Sequence, residues 1–354
     1  MTITNLLEKI NQAENIQAFA QDNLLKLVVS GDGRYILTYD EIYLETPKNW
    51  VSHYCRGLTL AGTPNNYIII AKSFNRFYDL DENPNYIKDD YNIDFTKPFY
   101  VDFKYDGSLI LLYFWDGEWR VNTRGSFAQG KVSNICSQTW SELFWEGFDS
   151  TNINNLDKGL TYIYELCSPH NHVVEYYRAT SVSHLSTMGC DGKEVYKCNP
   201  NNICNSLEDV NQKLSELTAT QEGFVLVQWN EEKKLYARRK LKTQSWLALS
   251  SLKASVGVTE YKLWDIIFRG NYSDVVAVFP HLAEPIARKE KQYKDLLVEI
   301  QDLYNEYKDI ENKKDFAMAI KDNKYKGILF GMRTGNSINI AVQEYMVRNF
   351  LAFA

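Results

Sequence analysis

The first 250 residues alternate between short apolar runs and turn residues, and most of these runs have the composition of β-strands. Two of them, 99–103 and 109–115, are rich in aromatic, leucine and β-branched residues and contain no proline. Similar runs predict further strands at 35–39, 67–71, 118–123, 160–166, 172–176, 224–229 and 235–242. Helical spacing of apolar residues predicts helices at 5–26, 132–148 and 206–217. Many short strands with a few helices predict an α+β domain.

From about Ser250 onward the pattern becomes almost entirely helical. Pro285 stands where a helix would start, a position at which its missing N–H does no harm. A long apolar stripe at helical spacing follows from Tyr293 to Ile310, and such a stripe must bury its face in a compact unit. We therefore predict two domains, an α+β domain over residues 1–250 and an all-helical C-terminal domain over residues 251–354.

Charge and composition narrow the function classes. The chain has 354 residues, 45% of them hydrophobic, and a net charge of −6, which argues against nonspecific coating of nucleic acid. A local basic groove stays compatible with that charge, because cations cluster at 238–242. No apolar run is long enough to cross a membrane and the N-terminus lacks the features of a signal peptide, so we expect a cytoplasmic protein without membrane contact.

The six cysteines form no C-x-x-C pair. Cys190, Cys198 and Cys204 lie near His184, but their spacings fit no common zinc finger. The pattern favours free buried thiols over a zinc site.

The turn between the two central strands carries the first candidate for chemistry, Lys104-Tyr105-Asp106-Gly107-Ser108. A lysine at the end of a strand, followed by Asp-Gly, is held rigidly and can project into a cleft as a nucleophile. The alternative is a surface hairpin in which Asp-Gly only makes the turn. The pattern is weak by itself, so the nucleophile interpretation needs matching charged residues further along the chain.

Four charged residues follow in a set order. Glu165 lies on a predicted strand and Glu222 opens another. Lys240 and Lys242 are two residues apart on a third strand, so their side chains share a face. Such a pair would neutralise a triphosphate and a leaving pyrophosphate, while the two carboxylates would hold Mg²⁺ through water. Each residue alone has an ordinary structural explanation; their occurrence together in this order indicates a nucleotidyl-transfer site.

The chain resembles the covalent nucleotidyltransferases, and most closely the ATP-dependent RNA ligases of the T-even phage tRNA-repair type. The resemblance covers roughly the first 250 residues and becomes faint beyond them, where it rests on Ser273-Asp274. The stretches that carry it are Tyr35-Ile36-Leu37-Thr38-Tyr39, Cys55-Arg56-Gly57, 76–84, 104–109, Arg124-Gly125-Ser126, 165–171, Glu222-Gly223-Phe224-Val225 and Lys240-Leu241-Lys242.

The resemblance implies an antiparallel-sheet nucleotidyltransferase domain of the ATP-grasp-like ligase kind, followed by the helical domain. It implies that Lys104 becomes a lysyl-AMP and that the enzyme joins RNA 5′-phosphate and 3′-hydroxyl ends through an RNA-adenylate. ATP and Mg²⁺, or Mn²⁺ in its place, would be the cofactors. The residues implied for the ATP site are Tyr39, Arg56, Arg76, Lys104, Glu165, Glu222, Lys240 and Lys242, and those implied for the metal are Glu165, Glu222 and Asp274.

Two positions depart from the family pattern. The family typically has lysine where this chain has Arg76, and often lysine at the position of Arg124. Arginine also binds phosphate, but as a planar fork and not as a compact ammonium. The departures bear on how the triphosphate is held and leave the reaction class unchanged.

Two other function classes remain as alternatives. DNA ligases and capping enzymes share K-x-D-G, but they usually carry arginine where this chain has Leu109, and they continue into a small β-barrel where this tail is helical. The second alternative is a catalytically inactive RNA-binding protein, which the full set of charged residues makes less fitting.

The resemblance also implies partners. The substrate would be RNA ends, among them those of a cleaved tRNA, and a separate polynucleotide kinase-phosphatase would prepare them. The helical domain would bias the enzyme toward structured RNA through Lys321, Lys324, Lys326 and Arg333, or it would only support the catalytic domain.

Overall fold

The computed structural model describes residues 2–40, 44–82, 92–132, 136–171, 173–196, 199–253, 260–269 and 272–349. The chain divides into two compact units, Met1–Thr243 and Gln244–Ala354. Antiparallel sheets with a few helices form the first unit and helices form the second, so the predicted α+β class is confirmed.

The described strands of the first unit form three sheets. The first sheet has the order β1-β2-β3-β4, with strands β1 Leu25–Val29, β2 Arg34–Tyr39, β3 Arg56–Ala61 and β4 Ile68–Ala71. Its strands are antiparallel. Helices α1 Ile3–Gln12, α2 Ile16–Asp22 and α3 Trp50–Tyr54 contribute apolar side chains to a core shared with this sheet.

The second and third sheets flank the turn at Lys104. The second has the order β11-β10-β9-β7-β8, with strands β7 Ser108–Trp115, β8 Glu118–Thr123, β9 Leu160–Cys167, β10 Ser181–Gly189 and β11 Glu194–Val195. The third has the order β12-β6-β13-β14-β5, with strands β5 Tyr78–Asp79, β6 Phe99–Lys104, β12 Ile203–Cys204, β13 Gly223–Asn230 and β14 Leu235–Lys242. The pairing of β5 with β14 is parallel.

Strand alternation decides which faces of these two sheets are buried. On the second sheet, Ile110 and Leu166 pack on helix α4 Trp140–Gly147, while Leu111 and Ile163 on the opposite face join a separate core. On the third sheet, Phe99, Val101 and Phe224 face a core that includes Val210 of helix α5 Leu207–Ser215. The other face of the third sheet carries Lys104 and is left for the site.

Every secondary-structure element described in the second unit is a helix. Its helices are α6 Gln244–Lys253, α7 Glu260–Arg269, α8 Tyr272–Val278, α9 Ala283–Tyr307, α10 Lys313–Ala319, α11 Lys326–Arg333 and α12 Ile338–Asn349. The predicted stripe on α9 supplies Leu296 and Ile300 to a core with Phe316 and Ile328. Among the described residues, no helix combines the length and the apolar character that crossing a membrane requires.

Three sequence-based element predictions were wrong in detail. The predicted helix 5–26 is two helices, because the Asn15 side chain caps α2 and starts it afresh, and residues from Leu25 on join β1. Helix α4 starts only at Trp140, where Thr139 and Glu142 form a capping box, and part of the prediction at 133–135 lies outside the described residues. Residues 173–176 form a loop and not a strand, and His172 lies outside the described residues.

Candidate active site

The site stands on the open face of the third sheet, where three strands align their charged residues in rows. Strand pairing places Gly223 between Lys104 and Lys242, so the two lysines are separated by a residue without a side chain. In the next row on the same face, Val225 lies between Asp102 and Lys240. The predicted shared face of Lys240 and Lys242 is therefore the face that carries Lys104.

Glu222 connects the two lysines of the first row. Its Oε2 lies 2.7 Å from the Nζ of Lys104, and its Oε1 lies 3.6 Å from the Nζ of Lys242. The Glu222 side chain is 5% exposed, while the lysines are 22% and 19% exposed. A buried carboxylate thus holds both cations, and the lysine side chains stay partly exposed.

The carboxylate of Asp106 anchors the turn after Lys104. From the sequence alone, this residue is expected only to form part of the Asp-Gly pair that makes the turn. Asp106 is 2% exposed, and its Oδ2 accepts the backbone N–H of Val174 at 2.5 Å and that of Glu175 at 2.7 Å. Gly107 is required by a close approach, because a Cβ there would lie 2.9 Å from the Sγ of Cys167 and would overlap the Leu166 carbonyl. These contacts give Lys104 a rigid support.

Glu165 lies on β9, opposite Leu109 of β7, and lines the same space as Lys104. Desolvation raises the pKa of Glu165 to about 7, against the attraction of Lys104 and Arg56, and the Glu222 carboxylate adds to the increase. Desolvation also raises the pKa of Glu222, although Lys104 and Lys242 oppose it. Two carboxylates that disfavour each other's ionised form would both be stabilised by a divalent cation.

Tyr39 at the end of β2 is enclosed by arginines. The Arg76 guanidinium lies 4.1 Å from the ring centre and that of Arg124 lies 4.7 Å from it. Desolvation would raise the pKa of the Tyr39 hydroxyl, but Arg56, Arg124 and Arg76 outweigh it and lower that pKa. Arg56 is oriented by a 3.0 Å hydrogen bond from its Nη1 to the Oγ of Ser73.

These elements enclose a cleft of about 790 Å³, which we call the main cleft. Six of the predicted ATP-site residues line it: Tyr39, Arg56, Lys104, Glu165, Lys240 and Lys242. Glu222 and Arg76 are not among the lining residues. Glu222 lies behind the two lysines, and Arg76 is 2% exposed, with Tyr39 and Tyr78 against its guanidinium. The side chain of Asp274 lies outside the described residues, so its metal role stays a prediction.

The main cleft contains further polar residues that the sequence analysis missed. Asp102 accepts hydrogen bonds from the Tyr196 hydroxyl and, at 3.2 Å, from the Nδ2 of Asn202. All three side chains line the main cleft. Strand alternation could have identified Asp102, which is two residues before Lys104, but the other two come from distant segments.

A divalent ion fits this donor set. No group of three or more His, Cys, Asp or Glu side chains able to hold a metal occurs in the described part of the chain. Mg²⁺ keeps several waters and takes few protein carboxylates, so Glu165 in the main cleft and Glu222 behind it would hold the ion through water, together with substrate phosphates. Cys190 and Cys204 are free thiols, and Cys198 lies outside the described residues.

Comparison with solved structures identifies the fold. The chain is similar to an archaeal ATP-dependent RNA ligase, with a TM-score of 0.51, 11% identity and coverage of 80% of each chain. The fold is therefore that of the nucleotidyltransferase-type ligases.

Sequence comparison identifies the family. Residues 54–247, more than half of the chain, match the RNA ligase family, and the chain belongs to that family, in its T4-type branch. An RNA ligase of Rhodothermus phage RM378 is 22% identical, over 96% of this chain and 94% of its own length.

A second relative comes from Autographa californica nuclear polyhedrosis virus. Its name describes a bifunctional polynucleotide kinase/RNA ligase, a function assigned to it by inference. It is 27% identical over 66% of this chain. The match spans only 35% of the viral protein's length.

Proposed function

We propose that this RNA ligase works through a covalent AMP on Lys104 and uses ATP with Mg²⁺. One observation carries the proposal: the Nζ of Lys104, held 2.7 Å from Glu222, lines a cleft with Lys240 and Lys242 on the same sheet face. The position combines a nucleophile, a group that orients it and cations for a polyphosphate, as nucleotidyl transfer requires.

In the first step the Lys104 amine attacks the α-phosphorus of ATP. A P–N bond forms, the P–O bond to the β-phosphate breaks, and pyrophosphate leaves. An ammonium is not a nucleophile, so Lys104 first gives up a proton, and Glu222 Oε2 is placed to accept it. Lys240 and Lys242 neutralise the charge that develops on the departing pyrophosphate.

Two further transfers complete the joining. An oxygen of the RNA 5′-phosphate attacks the phosphorus of the lysyl-AMP, which breaks the P–N bond and makes an RNA-adenylate. The 3′-hydroxyl of the second end then attacks the RNA 5′-phosphate, and AMP leaves. When bound beside Glu165 and Glu222, a divalent ion supplies charge stabilisation to the phosphates.

The biological role we propose is RNA repair, with cleaved tRNA as one substrate. The name of the viral relative, which pairs a polynucleotide kinase with an RNA ligase, supports the idea that a kinase-phosphatase prepares the ends for this enzyme. We expect the enzyme in the cytoplasm, because a reaction that uses ATP and RNA can take place there.

The test uses ATP labelled at either the α- or the γ-phosphate, followed by a denaturing gel. We expect the α-label alone to remain on the protein, and 5′-phosphorylated single-stranded RNA to be joined or circularised. If the protein stays unlabelled with Mg²⁺ present, the proposal fails. If it seals only nicked duplex DNA, the DNA ligase alternative holds instead.

A further inference from the structure

A second cavity lies on the same sheet face as Lys104, at the opposite end of the β13–β14 hairpin. The rows that begin with Lys104, Gly223 and Lys242 end with Trp229 paired to Tyr236. Tyr236 precedes Lys242 by six residues on one strand, which corresponds to about 20 Å at the usual rise per residue. The face is thus a continuous strip from the nucleophile to a pair of aromatic rings.

The second cavity has about 260 Å³ of space and combines aromatic rings with cations. We call it the aromatic pocket and define it by Trp229, Tyr236, Lys193, Lys234 and Arg238. Trp229 is 37% exposed, and its ring centre lies 4.8 Å from that of Tyr236. A large indole that remains exposed in a concave surface offers a flat platform for another ring.

The charges around the aromatic pocket favour an anionic occupant. Arg76, Lys193, Lys234 and Arg238 contribute to its lining, and Glu194 is the lining carboxylate. Glu194 is already paired with Arg238, whose Nη1 lies 2.7 Å from its Oε2. At the rim, Asp191 pairs with Lys193 and Glu231 with Lys234, but these pairs are exposed and therefore weak.

The aromatic pocket and the main cleft share a wall. Phe77 and Arg238 line both. Arg238 is 7% exposed, and the contact with Glu194 and the Phe74 ring at 4.3 Å fixes its guanidinium. A chain that leaves the main cleft along the sheet therefore passes a fixed cation before it reaches Trp229.

We propose that the aromatic pocket binds an unpaired nucleotide of the RNA substrate, with the base stacked on Trp229 and its phosphates near Lys193 and Lys234. The inference rests on the proposed function and adds a substrate subsite to it. Stacking on an aromatic ring beside a cationic path is how proteins hold single-stranded nucleic acid without reading its sequence. Cross-strand pairing of Trp229 and Tyr236 would stabilise the hairpin in any case, but it does not account for the exposed ring or the surrounding cations.

The test measures binding of a short 5′-phosphorylated single-stranded RNA to the full chain by fluorescence anisotropy. Trp229→Ala should weaken binding about 5- to 100-fold, the loss typical of one stacked base, while Trp229→Phe should keep most of the affinity. A second pair of variants separates position from charge. Lys233→Gln is the matched control, because Lys233 and Lys234 lie in the same exposed turn. Lys234→Gln should weaken binding more than this control, because Lys234 lines the aromatic pocket and Lys233 does not.

Each outcome supports or overturns the subsite. Wild-type RNA affinity in a folded Trp229→Ala protein overturns it. A raised KM for ATP with unchanged RNA affinity also overturns it, because the pocket would then serve ATP. Crosslinking of photoreactive RNA to the wild-type protein needs no folded variant, and adducts confined to residues outside the pocket contradict the proposal. The two proposals fail separately. Failure of lysyl-AMP formation in the wild type would refute the proposed function, whereas RNA binding is measured without ATP and tests the subsite alone.

Discussion

Glu222 touches both lysines of the first row, and its burial makes that contact strong. A carboxylate in this position orients the nucleophile and balances two positive charges. The loss of such a charged hydrogen bond typically costs about 1.5–3 kcal/mol.

Glu222→Gln should therefore slow lysyl-AMP formation by about 10- to 100-fold, since the amide keeps the shape and loses the charge. The rate is measured in a single turnover with α-labelled ATP. Glu232→Gln removes a carboxylate from an exposed turn of the same unit and should leave the rate unchanged. Equal rates for the two variants would mean that Glu222 has only a structural role.

The raised pKa of Glu165 predicts how folding stability depends on pH. Its pKa in the folded protein, about 7, lies above the ordinary value of 4.5, so the folded state binds its proton more tightly than the unfolded chain does. Folding stability contributed by this group is therefore highest at low pH and falls as the pH rises from about 4.5 to about 7. Groups that do not interact with Glu165 titrate alike in both proteins and cancel in a comparison with Glu165→Gln.

The Tm of Glu165→Gln minus that of the wild type should increase over this pH range and then level off. Addition of Mg²⁺ at pH values above the range should raise the Tm of the wild type more than that of the variant. A Tm difference that does not change with pH would show that burial does not perturb this carboxyl.

At the scale of elements, the β13–β14 hairpin aligns the charged rows, and Gly223 is the residue that allows it. Gly223 has a φ of 141°, and a Cβ there would lie 2.9 Å from the Cα of Lys242 and overlap the Leu241 carbonyl. Lys104 and Lys242 can pair on either side of Gly223 only because this position lacks a side chain.

Gly223→Ala should destabilise the protein by roughly 1–3 kcal/mol more than Gly117→Ala, in urea unfolding, because the added methyl group overlaps the neighbouring strand. Gly117 is the matched control, with a φ of 82° but open space around its Cα, so it reports backbone strain alone. Gly223→Ala should also lose lysyl-AMP formation. Equal destabilisation by the two substitutions would contradict the packing argument.

Sequence pattern predicted the elements and the order of the charged residues, but not their contacts. Alternation was enough to place Lys240 and Lys242 on one face, since that follows from strand geometry alone. The apolar residues at 172–176 predict a strand, but residues 173–176 form a loop in which Val174 and Glu175 donate their backbone N–H groups to Asp106. Such a contact joins segments far apart in the chain, and Tyr196 and Asn202 escaped prediction for the same reason.

At the scale of the whole molecule, each unit has a core of its own, the first around its sheets and the second around Ile300 and Phe316. Of the four tail cations predicted to contact RNA, Lys321 and Lys324 are 59% and 70% exposed. Arg333 instead donates to the carbonyls of Ile310 and Glu311, which assigns it a structural part. A role of Lys321, Lys324 and Lys326 in RNA specificity stays a prediction.

A protein that ends at Thr243 should stay folded, form lysyl-AMP and join generic RNA, because its core and its main cleft lie within the first unit. We expect it to lose preference for cleaved tRNA. Competition between cleaved tRNA and an unstructured RNA of equal length measures that preference in the truncated and full chains. An unchanged preference would contradict a specificity role for the helical domain.

The most direct test of the central claim is to locate the AMP by tandem mass spectrometry after incubation with ATP and Mg²⁺ and proteolysis. The account predicts AMP on the Nζ of Lys104, and none on Lys240 or Lys242. Lys104→Arg, which keeps the charge but removes the amine nucleophile, should carry no AMP. AMP on any other residue, or an unmodified Lys104 in a protein that still joins RNA, would contradict the account.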